Sequence, residues 1–144
     1  MLEQTTPAAT TASLLDGLTV ADVMHRGVFR CSRATSLSNV ARIMAAHHVH
    51  CVVVTDDERI DRATVWGMVS DRDVTAALLT RPLEAQTAEG SATTPAVSIA
   101  ESEPLLRAAH RMTEHGVTHL VVVGGDAEGP VGVISTLDIA DAIS

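Results

Sequence analysis

Ser70 and Asp73 stand three residues apart in GMVSDRDV (67–74), and Ser135 and Asp138 repeat that spacing in GVISTLDI (132–139). Each stretch reads glycine, two apolar residues, serine, two variable residues, aspartate and an apolar residue. The S-x-x-D spacing supports two kinds of chemistry. In a capping box the serine oxygen takes a free N–H of the first helical turn, and the acid reaches back to the serine N–H. In a binding site the same helix start offers free N–H groups and a positive dipole end to an anion. The serine adds a donor, and the carboxylate can accept two hydrogen bonds from a vicinal diol. The preceding glycines let backbone come close. Arg72, inside the first motif, either offers a guanidinium fork to phosphate or is an exposed arginine of a short helix. Its counterpart in the second motif is Leu137.

The elements that must position these residues are themselves duplicated. Thr19 aligns with Thr87 at an offset of 68, and so do Leu37 with Leu105, Met44 with Met112 and His47 with His115. After the runs VVV (52–54) and LVV (120–122) the offset falls to 65, because DDERIDRATVW (56–66) is longer than GGDAEGPV (124–131). Insertions belong in such turns. An internal repeat governs any fold proposed for the chain. Each copy starts with a short β-compatible run, VFRC (28–31) or AVSI (96–99). A helix follows, with apolar stripes at Leu37, Val40, Ala41 and Met44 or at Leu105, Ala108, Ala109 and Met112. Thr35 is the expected cap of the first helix, Pro104 the first helical residue of the second, and Gly116 its end. CVVVT (51–55) and HLVVV (119–123) read as strands covered on both faces. TVWGMVS (64–70) and VGVIS (131–135) read as further strands, followed by short helices over about 71–79 and 136–143. Each half is thus β-α-β-β-α. At about 60 residues a half is marginal alone, so the two should pack together.

The expected organisation is a flexible tail over 1–17, repeat 1 over 18–79, a linker over 80–86 within TRPLEAQTAEGSATT (80–94), which holds the Pro, Gly and polar residues expected between units, and repeat 2 over 87–144. The 144 residues are 46% hydrophobic with a net charge of −8, which argues against a phosphate-neutralising nucleic-acid surface. No apolar run reaches a membrane span, and the N-terminus lacks a secretory pattern. Cys31 and Cys51 read as small buried hydrophobes in a reducing compartment. A cytoplasmic location is expected.

A duplicated β-α-β-β-α unit closing on G-h-h-S-x-x-D resembles the cystathionine-β-synthase (CBS) domain pair. ADVM (21–24) resembles that family's opening helix-turn, PAVSI (95–99) its first strand, GVTHLVVV (116–123) its second strand, and the two quoted stretches its closing signatures. The resemblance covers about residues 18–144. It implies an α/β (α+β) fold in which a tandem pair packs with pseudo-two-fold symmetry. It also implies a regulatory module binding AMP, ADP, ATP or S-adenosylmethionine in clefts between the repeats, a homodimer, and output through a separate, unidentified protein partner. On this resemblance Ser70, Arg72 and Asp73, with Ser135 and Asp138, would hold ribose and phosphate. His50, Thr118 and His119 would face the phosphates. Val28 and Phe29, and Ala96 and Val97, would hold adenine or serve as ordinary core strand. GSA (90–92) stands where copy one has DVM (22–24), and Pro95 where it has Gly27, so the clefts are expected to differ.

The seven histidines lack a recognisable metal-ligand spacing. His47 and His115 both fall at expected helix ends, where imidazolium favours the dipole. No nucleophile carries a motif, and the sequence contains no lysine, which removes Schiff-base chemistry. The expectation is no enzyme, no metal and no cofactor beyond the regulatory ligand. The rival reading is a ligand-free dimerisation or protein-interaction module, in which both S-x-x-D motifs are only caps.

Overall fold

Runs of β-branched residues build the two central strands. Cys51–Thr55 forms β3, buried at every residue, and His119–Val123 forms β6, buried except at Val123. Valine is stiff at χ1 and packs on both faces of a pleat, which favours such runs as strands. This computed structural model describes residue 15 and residues 17–56, 65–125 and 129–144. The tail expected over 1–17 lies outside the described residues except at 15 and 17.

The chain begins with α1 (Val20–Val23), β1 (His25–Arg26), β2 (Arg30–Ser32), α2 (Leu37–His47) and β3, then β4 (Val65–Ser70) and α3 (Asp71–Leu78). A 3-10 turn at Leu83–Ala85 leads to α4 (Ala88–Ser91), β5 (Ser98–Ala100), α5 (Leu105–His115), β6, β7 (Pro130–Ser135) and α6 (Thr136–Ala142). In each repeat the first strand pairs parallel with the middle one, and the last pairs antiparallel: β2-β3-β4 and β5-β6-β7. The parallel pairs need a crossover, which α2 and α5 supply. Leu37, Val40 and Met44, and their counterparts Leu105, Ala108 and Met112, are the buried stripes of those helices. Full burial of a leucine such as Leu37 or Leu105 contributes about 2 kcal/mol.

The opening segments are exchanged. β1 adds to the second repeat's sheet beside β7, pairing His25 with Val133 and Arg26 with Gly132. Val20 and Met24 join the core of Ile99, Leu105, Leu120 and Ile134. Reciprocally, Thr93 bridges to Met68 on β4, and Ala88 joins the core of Leu37, Val52 and Val69. The second opening element, although short of apolar anchors, still forms a turn of helix on that one buried alanine. A third cluster, Cys51, Val53, Met68 and Val121, closes the space between the sheets.

Local details depart from the expectations. The cap of α2 is Ser36, whose hydroxyl accepts from the Asn39 N–H at 3.2 Å. Thr35 is already engaged by the Ser32 N–H at 3.1 Å, so it caps nothing. Pro104 stands just before the first residue of α5. The short first strands start two residues later than read, at Arg30 and Ser98. Gly116 ends α5 in the left-handed region as expected (φ 63°), while His48 takes the same conformation after α2 (φ 53°). No helix among the described residues is long and apolar enough to cross a membrane.

Candidate ligand-binding clefts

Both S-x-x-D motifs are realised as capping boxes. The Asp73 N–H donates to Ser70 Oγ at 3.2 Å, and the Ser70 N–H donates to Asp73 Oδ2 at 2.8 Å. In α6 the same pair of bonds measures 3.1 and 2.8 Å. The cap is therefore built at both sites. What the repeat spacing does not reveal is that each box also opens onto a cleft walled by the other repeat.

The larger cleft, about 350 Å3, has Ser135, Leu137 and Asp138 on one side and Val28, Phe29 and His50 on the other. That volume lies at the small end of the range for small-molecule sites. Phe29 stacks on His47, with centroids 4.1 Å apart and planes inclined by 21°. His25 reaches across from β1, and its Nε2–H donates to Asp138 Oδ1 at 2.7 Å. His50 donates through Nδ1 to Asp71 Oδ2 at 2.8 Å. His47, His48 and His119 complete an imidazole-rich lining.

The smaller cleft, about 210 Å3, gathers Ser70, Arg72 and Asp73 with Thr93, Thr118 and His119. His119 lines both clefts and is buried at the start of β6. It shares a hydrogen bond with Thr118 Oγ1 at 2.9 Å. Burial pushes its imidazole below the ordinary range, against the upward pull of Asp71, Asp138 and Asp73. Cys51, which occupies the equivalent strand position, is buried deeply enough for its thiol to be pushed up to about 12. At Cys31 burial raises the thiol to about 11. Both stay thiols at neutral pH.

Ten of the twelve residues singled out from the sequence therefore line one cleft or the other. Ala96 and Val97 do not. Ala96 packs against the cluster between the sheets, and Val97 against the core beneath α5, since their segment is drawn into those layers. Sequence reasoning missed His25, Arg26, His47, His48 and Thr93 as lining residues. The offset that pairs His25 with Thr93 was readable, but nothing local indicates that both cross to the other repeat. Among the described residues no three His, Cys, Asp or Glu side chains converge as a metal site requires.

A family model described as "CBS domain" matches residues 20–80 and 91–144. No curated protein matches the chain. Among solved structures, the chain is similar to the CBS domain pair of protein MJ0100 in complex with 5′-methylthioadenosine and S-adenosyl-L-methionine. The identity there is 21% and the TM-score 0.73, covering 86% of this chain and 94% of that one. It is also similar to the CBS domain protein PAE2072 from Pyrobaculum aerophilum complexed with AMP, at 26% identity and a TM-score of 0.72, covering 84% and 89%. Hypoxic Response Protein I, solved with two coordinated zinc ions, is 25% identical with a TM-score of 0.65, covering 86% and 98%.

Proposed function

Because the chain belongs to the CBS domain family and carries the domain twice, we propose that it is a regulatory module. It binds an adenosyl ligand, AMP, ADP, ATP or S-adenosylmethionine, between its repeats and alters the activity of a separate protein. The observation that carries this reading is the composite build of the larger cleft. A buried carboxylate, Asp138, faces the aromatic and apolar start of the other repeat, Phe29 and Val28, across a cavity of about 350 Å3. A flat base would lie against Phe29 and Val28, and the ribose diol would reach Asp138. In the smaller cleft Asp73 would take the diol and Arg72 the phosphate, as a guanidinium fork suits. The adenosyl ligands of the MJ0100 and PAE2072 structures support this class of ligand.

We assign the module no catalysis. A ligand gripped by both repeats favours one packing of the exchanged halves over another, and only by its difference in affinity for the two. The partner reads that packing. The module acts as a cytoplasmic homodimer; Leu78 and Leu79 at the end of α3 and Leu137 on α6 are exposed apolar residues that support self-association.

Isothermal titration with AMP, ADP, ATP and S-adenosylmethionine tests the reading. Saturable binding of one of them is expected, lost at the cleft whose aspartate is replaced in Asp73→Asn or Asp138→Asn. The intact capping boxes favour one other reading, the ligand-free interaction module. In that case no adenosyl compound binds at millimolar concentration, and each substitution costs only the cap, about 1 kcal/mol of stability.

A further inference from the structure

The two clefts differ at the carboxylate. In the larger cleft both oxygens of Asp138 hold a partner. Oδ2 accepts from the Ser135 N–H at 2.8 Å, and Oδ1 accepts from His25 Nε2–H at 2.7 Å. In the smaller cleft Asp73 meets the N–H and the hydroxyl of Ser70 through Oδ2 alone. Among the described residues no side chain is hydrogen-bonded to its Oδ1. The residue equivalent to His25 there is Thr93, at the same offset of 68, and it lines the cleft without bonding to Asp73.

His25 is also placed to yield. Its backbone is pinned to Val133 by the β1–β7 pair, but its side chain is 80% exposed while that of Asp138 is 9% exposed. The ring can rotate into water without uncovering core, and only the one bond to Oδ1 is lost. The ring takes one of the two acceptor sites of Oδ1 and stands where a ligand hydroxyl would approach it, so the two compete for that oxygen.

Resting on the adenosyl reading above, we propose that His25 is a specificity-determining residue of the larger cleft. It competes with the ligand's ribose hydroxyls for Asp138 Oδ1, so the larger cleft fills after the smaller one and discriminates by the hydroxyls a ligand offers in exchange. A ligand without hydroxyls leaves the imidazole in place.

The test is titration of the full chain carrying Asp73→Asn, which silences the smaller cleft, with and without His25→Ala. The probes are AMP, S-adenosylmethionine and 2′,3′-dideoxyadenosine monophosphate, the last having no hydroxyl to set in the ring's place. Removing the ring is expected to tighten AMP or S-adenosylmethionine roughly 1.5- to fivefold, the scale of an exposed polar pair, and to leave the dideoxy nucleotide unchanged. The His25 ring resonances of the unaltered chain should move with the hydroxyl-bearing ligand and stay with the dideoxy one. Unchanged or weaker binding after His25→Ala, or equal tightening of all probes, overturns the role of His25 and leaves the adenosyl reading standing. Silence of every probe with the unaltered chain and with His25→Ala overturns both.

Discussion

His119 is the residue on which the two clefts meet, and its burial has a consequence for stability. The folded chain disfavours its proton, while the unfolded chain takes one up near pH 6.5. Below that pH the unfolded state binds more protons, so stability falls as the pH drops through about 6.5 and is fully present above it. The urea midpoint is therefore expected to decline between about pH 7 and pH 5.5. The decline should be shallower in His119→Cys, which installs the residue the other repeat uses at this place. An equal decline in both proteins would assign the effect to other histidines. The cysteines carry no such lever near neutrality, since burial holds both thiols protonated.

Glycine in each signature answers to an element from the other repeat. A Cβ on Gly67 would sit 2.6 Å from the Thr93 carbonyl oxygen, and one on Gly132 would run into the backbone of His25 and Arg26. The neighbour in each case is main chain, which cannot step aside as a flexible side chain would. Gly132→Ala and Gly67→Ala are each expected to destabilise by about 2 kcal/mol, the scale of overpacking, read as a lowered denaturation midpoint. A loss below about 0.5 kcal/mol would mean that the crossing segments adjust freely. The capping boxes belong to this scale too. They start α3 and α6 at the cleft edge and so hold the carboxylates where a diol could meet them.

The molecule as a whole is held together by exchange. The Val20 N–H donates to the Glu103 carbonyl at 2.9 Å, and the Ala88 N–H donates to the Thr35 carbonyl at 2.8 Å. Each repeat thus lends its opening turn to the core of the other. Cutting between residues 86 and 87 should leave each half without that cover and with the intersheet cluster open. Neither half alone, at monomeric concentration, is expected to show a cooperative thermal transition, while mixing the two should restore one. A cooperative transition in an isolated half would show that a repeat is self-sufficient.

The sequence by itself determined the duplication and the β-α-β-β-α order within each repeat, and it offered the two capping boxes as one of two readings of S-x-x-D. These rest on local physics: apolar stripes at helical spacing on α2 and α5, β-branched runs in β3 and β6, and acids three residues after serines. It also marked ten residues of the cleft lining, among them Ser70, Asp73, Ser135 and Asp138, which carry their chemistry in their spacing. Only the tertiary structure decided which repeat faces which signature. The Thr35 cap failed for a smaller version of the same reason, since a competing hydrogen bond from Ser32 took its hydroxyl. The His25–Asp138 bond joins residues 113 positions apart. No periodicity reaches that far; it exists because the opening segments cross over, bury Val20 and Ala88 in the opposite cores, and carry His25 and Thr93 to opposite carboxylates.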